Sequence, residues 1–181
     1  LIFGGSRGAP RINQAVIDAY PELRNRGYQV VFVPGETHYE QVVQELEAKS
    51  PLKRNLHLVV KPYVDNMIDV LRNVSAIVSR SGATTIAEIT VLGIPSILIP
   101  SPNVTDDHQT KNAMSLVNNE AAILLTEEQL SGETLLENLD RLMENEQRRA
   151  YMSEKAREIG EPHATDKLIQ VMLETMKNAG S

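Results

Sequence analysis

Short apolar runs alternate along the chain with longer stretches whose apolar residues return every three or four positions. The runs cover residues 1–3, 30–33, 56–60, 76–78, 96–99 and 122–125. They are rich in Val and Ile and apolar on both faces, as strands of a parallel sheet covered on both sides should be. Helical periodicity fills 11–24, 37–48, 66–72, 84–92 and 107–118, with Pro34-Gly35 as a turn, Gly93 as a helix stop and Pro95 opening the next strand. Beyond residue 125 the pattern is helical only, over 133–144, 146–159 and 166–177, and Gly160-Glu161-Pro162 divides the last two. This order predicts an α/β fold: a Rossmann-like, doubly wound parallel sheet of about six strands with helices on both faces. Residues 1–160 are expected to form one domain and 161–181 a terminal helix that packs elsewhere. Only three residues precede the first glycine, fewer than the about five of an ordinary strand. The chain is therefore expected to begin within a strand of a longer protein.

Composition narrows the chemistry. Aromatic residues are 4% of the chain and Trp is absent, so its 41% hydrophobic content must build a core from Val, Ile, Leu, Ala and Met. The absence of Cys excludes a disulfide scaffold and thiolate metal ligands. A net charge of -6 argues against a nucleic-acid partner. No apolar run reaches the about 18 residues that span a bilayer.

Three loops carry the candidate chemistry. Gly4-Gly5-Ser6-Arg7-Gly8-Ala9 joins a strand to a helix. Glycines let a backbone approach a ligand closely, and N–H groups at a helix start favour an anion such as phosphate. A tight turn without a ligand explains the same residues, and the spacing departs from the dinucleotide G-x-G-x-x-G. The second loop, residues 79–88, ends its strand in small residues and opens a helix. Glu88 there reads either as acceptor for two ribose hydroxyls or as part of a capping box, since Thr85-x-x-Glu88 matches S/T-x-x-E. Spacing alone favours the cap. Arg80 reads as a phosphate ligand, as a tie to a neighbouring loop, or as the partner of a surface acid, and without context a structural role is favoured.

The third loop, residues 100–113, is rich in short polar side chains. Gln109 and Asn112 each supply donors and acceptors suited to a sugar, and His108 shares a helix face with Asn112. Capping by Thr105 or Asp106 is the plainer reading. A metal site on Asp106, Asp107 and His108 is weaker still, because neighbouring carboxylates need further ligands to enclose one ion. No G-x-S-x-G elbow occurs, so no nucleophile is expected.

Together, the 4–9 loop, the 79–88 segment with Gly93-Ile94-Pro95, and the 107–113 segment resemble the donor half of the MurG family. These are bacterial N-acetylglucosaminyltransferases of peptidoglycan synthesis. The resemblance spans nearly the whole chain and is most specific over 79–113. It implies an inverting enzyme of the two-domain glycosyltransferase B architecture. The expected donor is UDP-N-acetylglucosamine, with no cofactor and no metal. It further implies that Gly5 and Ser6 hold the diphosphate and that Val64 meets uracil through its backbone. Ala83 and Thr84 would lie by sugar and phosphate, with Arg80 nearby, and Glu88 would bind the ribose. Gln109, Asn112 and, more weakly, His108 would contact N-acetylglucosamine; the family more often has Gln where His108 stands.

The implied partners are an N-terminal acceptor domain of the same protein and a lipid-linked acceptor. The implied place is the cytoplasmic face of the bacterial plasma membrane, with no catalytic residue in this half. Three alternatives stand beside this reading: another UDP-sugar-dependent lipid glycosyltransferase, a soluble subunit of a two-chain N-acetylglucosaminyltransferase, and a non-catalytic nucleotide-sugar sensor.

Overall fold

The computed structural model describes residues 1–5, 7–54, 57–103, 108–160 and 164–180. The strands are β1 (Ile2–Phe3), β2 (Val30–Val33), β3 (Leu58–Val60), β4 (Ile77–Ser79), β5 (Ser96–Leu98) and β6 (Ala122–Leu124). They form one parallel sheet in the order β3-β2-β1-β4-β5-β6. The expected doubly wound architecture is therefore the observed one. The order reverses between β1 and β4, and their carboxyl ends make the switch point at which ligands bind in sheets of this kind.

The helices are α1 (Pro10–Leu23), α2 (Glu36–Lys49), α3 (Met67–Asn73), α4 (Ala83–Leu92), α5 (His108–Val117), α6 (Gly132–Met143), α7 (Glu146–Ile159) and α8 (Ala164–Ala179). Each lies within three residues of its expected bounds. Among the described residues, a 3-10 turn at Leu52–Arg54 is the one element the periodicity gave no sign of. Its three residues are too few to show a repeat.

Period-2 alternation of the strands splits the interior into two layers. Val78, Ile97 and Ile99 face one layer with Ile12, Val16 and Tyr20 of α1, Leu46 of α2, and Leu135 and Leu139 of α6. Ile77 and Leu98 face the other with Leu71, Ile89, Leu116 and Ala156 of α3, α4, α5 and α7. Adjacent residues of one strand thus serve opposite layers, which is why the strand runs are apolar throughout. Gly93 ends α4 at φ 65 in the left-handed region, as its position in the sequence predicts. A Cβ there would lie 2.6 Å from Arg157 Nε.

The helices after β6 return to the layers already formed. α6 packs along α1, α7 along α4 and α6, and α8 against α4. A side-chain clamp fastens α6 to the chain entering β2. Arg26 donates to both carboxylate oxygens of Asp140 at 2.9–3.1 Å, and Tyr28 Oη donates to Oδ1 at 2.9 Å. Burial works to raise the Asp140 carboxyl, but the hydrogen bonds from Arg26 and Tyr28 outweigh it and hold the group below its ordinary value.

Candidate functional site

β1 and β4 are adjacent and parallel, so the loops that follow them rise from the same rim of the sheet. A cleft of about 640 Å³ lies there. It is lined by the glycine loop (Gly4, Gly5, Gly8), by Arg80 and Gly82, by Thr85 of α4, and by Ser101 and Gln109 from beyond β5.

The glycine loop owes its shape to two residues with positive φ, Gly5 at 93 and Gly8 at 74. Gly8 N–H donates to the Gly5 carbonyl at 3.0 Å and closes the turn. Nothing lies within 4 Å of where a Gly5 Cβ would stand, so that side of the backbone is open to a ligand. Ser6 lies outside the described residues.

Two helices begin at this cleft. α1 opens behind Ala9 and α4 behind Gly82; neither has a side-chain cap, and neither has an acidic residue in its first turn. By contrast α6 and α7 are capped by Ser131 and Asn145 and carry Glu133 and Glu146 in their first turns. A helix start leaves donors without intrahelical partners and a partial positive charge. Two such ends beside one cleft suit an anion with more than one charged group.

Gly82 as N-cap overturns the capping-box reading of Thr85 and Glu88. The helix begins at Ala83, so Thr85 already lies within its first turn and Glu88 nearly a turn further on. Backbone geometry at Gly82 set that start, and a side-chain spacing rule does not detect it. Glu88 is half-buried, and burial raises its carboxyl above the ordinary value. It has no hydrogen-bond partner among the described residues. Ala83 and Thr84 are exposed at the helix start.

Arg80 does not stand free in the cleft. Its Nη1 donates to the carbonyls of Ile99 and Pro100, both at 3.2 Å. The same nitrogen lies 2.7 Å from Glu127 Oε2, an ion pair without the alignment of a hydrogen bond. Glu127 also meets Arg11, whose Nη2 donates to the Glu127 carbonyl at 3.0 Å. Arg80 therefore ties the segments leaving β4, β5 and β6. The pairing with an acid is the one the residue type allows, but nothing in its spacing from Arg80 marks Glu127 as that acid.

The polar loop is tied to the same rim. Gln109 Oε1 accepts from Ser101 N at 3.0 Å, and the Gln109 carbonyl accepts from Ser81 Oγ at 2.8 Å. Asn112 Nδ2 donates to the Ser81 carbonyl at 3.1 Å. The face shared by His108 and Asn112 thus turns towards the β4 loop at Asn112, while His108 is exposed. Thr105, Asp106 and Asp107 lie outside the described residues, and with them the capping and metal readings. Among the described residues no group of three His, Cys, Asp or Glu is placed to hold a metal ion. Val64 is half-buried in the segment after β3 and does not line the cleft, because β2 stands between β3 and β1. Of the expected residues, the cleft thus gathers Gly5, Arg80 and Gln109 along its walls. Ala83, Thr84, Glu88 and Asn112 are on the two helices beside it.

Residues 1–170 match the model of the glycosyltransferase family 28 C-terminal domain. A UDP-N-acetylglucosamine--N-acetylmuramyl-(pentapeptide) pyrophosphoryl-undecaprenol N-acetylglucosamine transferase of Latilactobacillus sakei is 54% identical over 172 residues, 95% of this chain and 47% of the relative. The Bacillus subtilis protein of the same name is 51% identical over 177 residues, 98% of this chain and 48% of the relative. The chain thus spans about half the length of the curated relatives it matches. Among solved structures, Acinetobacter baumannii MurG superposes with a TM-score of 0.77 at 28% identity, covering 96% of this chain and 48% of that one. The C-terminal CMP-Kdo binding domain of WaaA from the same organism shares the fold, with a TM-score of 0.64 at 10% identity over 87% of this chain and 86% of that one.

Proposed function

The chain belongs to the glycosyltransferase family 28 C-terminal domain family, and we propose that it is the donor-binding half of an N-acetylglucosaminyltransferase acting on the lipid-linked peptidoglycan precursor. The observation that carries this reading is the pair of uncapped helix starts, α1 and α4, beside one glycine-lined cleft at the switch point of the sheet. The names of the Latilactobacillus and Bacillus relatives supply the donor and the acceptor.

In this reading the diphosphate of UDP-N-acetylglucosamine lies between the Gly5 turn and the α4 start. Glu88 accepts from the ribose hydroxyls, Val64 meets uracil, and Gln109 and Asn112 contact the sugar, with His108 at the margin. An acceptor hydroxyl attacks the anomeric carbon, the bond to the diphosphate breaks, and UDP leaves carrying the negative charge. Fixed backbone N–H groups stabilise that charge as it grows; one such donor contributes about 2.7–4 kcal/mol in other enzymes. The reaction needs no cofactor from this half. Arg80 acts here by holding the rim together.

The acceptor site, the general base and the contact with the lipid-bearing membrane surface belong to an N-terminal half. α8 supports that arrangement. Ile169, Leu173 and Met176 fall on one helix face and are 50%, 53% and 68% exposed. We assign this stripe to contact with the N-terminal half. In this reading the whole protein sits peripherally on the cytoplasmic membrane face; no helix among the described residues is long and apolar enough to cross a membrane.

Calorimetric titration tests the reading. UDP and UDP-N-acetylglucosamine should bind, GDP- and ADP-sugars should not, and UDP-glucose should bind more weakly than UDP-N-acetylglucosamine. Equal binding of all nucleotide sugars would refute it. Transfer to the lipid-linked acceptor after joining an N-terminal half would eliminate a sensor without catalysis.

A further inference from the structure

The loop after β1 leans on the loop after β2. A Cβ on Gly8 would stand 2.5 Å from the Pro34 carbonyl oxygen and 2.8 Å from His38 Cδ2. A Cβ on Gly35, which has φ 98, would stand 3.0 Å from Gly8 Cα. The two loops are thus in backbone contact, glycine against glycine, with the His38 ring on a third side. The strand order puts β1 and β2 side by side, but nothing in the sheet ladder requires this contact above the rim.

One side chain spans the junction. Asn13, in the second turn of α1, is 4% exposed, and its Nδ2 donates to the Pro34 carbonyl at 3.1 Å. Its Oδ1 is buried with no partner among the described residues. It sits between Ile12 and the buried Ala15 and Val16, where an apolar side chain of the same size would pack but would take the donor from the Pro34 carbonyl. A buried acceptor left unpaired costs stability. A residue kept at such a cost, on the core face of a helix, marks a position where something other than packing decides. What Asn13 supplies is the tie from α1 to Pro34, against which Gly8 rests.

We infer that Asn13 is a positioning residue for diphosphate recognition: through Pro34 and Gly35 it fixes Gly8, and through the Gly8–Gly5 hydrogen bond it sets the direction of the loop N–H groups. It touches no substrate. The inference rests on the donor-site reading and adds to it a residue of α1, outside the three motifs, that acts through the loop after β2.

The test compares UDP with uridine. Both engage the base and ribose positions, but only UDP has phosphates for the loop. In Asn13→Leu, UDP affinity falls about three- to tenfold, the loss that one hydrogen bond of typical net strength carries, while the weak uridine affinity, followed by NMR titration, is unchanged. Exchange of the Gly8 amide hydrogen also quickens in the ligand-free chain. A substitution that merely loosened the domain would weaken both ligands together. If Asn13→Leu does not fold, Asn13→Ala carries the same test, removing the tie to Pro34 with a smaller side chain. UDP and uridine weakening in equal proportion, or UDP affinity remaining at the level of the unaltered chain, overturns the inference alone. Failure of the unaltered chain to bind UDP overturns the donor-site reading and the inference with it.

Discussion

Replacing Glu88 with Gln should move stability and ligand affinity in opposite directions. The side chain keeps its shape and loses its charge. In the ligand-free chain the carboxylate is half-buried with no partner among the described residues, and burial raises its pKa. A carboxyl raised in the folded state makes the fold less stable above that pKa, and the penalty lifts as pH falls through the folded value towards the unfolded one. Glu88→Gln removes the penalty, so the free chain should melt at a slightly higher temperature at neutral pH. Donor binding runs the other way. Hydrogen bonds to a charged acceptor contribute about 1.5–3 kcal/mol, so losing the carboxylate should weaken UDP by about ten- to 150-fold.

The same carboxylate gives binding a pH dependence. Acid protonates Glu88 above the ordinary carboxyl range, so UDP affinity of the unaltered chain should fall more steeply there than that of Glu88→Gln, in which only the phosphate of UDP titrates. Calorimetry across a pH series and thermal unfolding of both chains measure the two effects. Undiminished UDP affinity in Glu88→Gln would remove the ribose role. A lower melting temperature at neutral pH would refute the account of an unpaired, desolvated charge.

Further outcomes concern the frame around the site. Gly93→Ala places a side chain at φ 65 against Arg157, and thermal unfolding should show a loss of about 1–3 kcal/mol. Tyr28→Phe removes the hydrogen bond to Asp140 and should cost about 1.5 kcal/mol with UDP affinity unchanged, because the clamp lies away from the cleft. The depressed Asp140 carboxyl contributes stability above its unfolded pKa that is lost as pH falls through the folded one; an acid titration of stability should show this loss, and Asp140→Asn should abolish it. Arg80→Met removes the charge and the Nη1 contacts to Ile99, Pro100 and Glu127. It should lower the melting temperature, and a variant that melted as the unaltered chain does would show the tie to be idle.

The sequence by itself determined the layers, the element order and the places where chemistry could lie. Apolar runs of strand length and helical periodicity are local, and a parallel sheet covered on both faces leaves them no other arrangement. The glycine stops and glycine loops were legible for the same reason: the positive φ at Gly5, Gly8 and Gly93 is a property of single residues. What only the tertiary structure decided is which polar groups meet. Arg80 finds Glu127, Asn112 finds the Ser81 carbonyl, and Asn13 finds Pro34, all across strand order rather than along the chain. The capping box at Thr85 and Glu88 failed on the same ground. Its spacing is a local rule that fits several starts, and the helix begins behind Gly82, three residues before Thr85. Hydrophobic pattern is written at fixed intervals in the sequence, but a hydrogen bond between loops depends on distances that exist only once the sheet has formed.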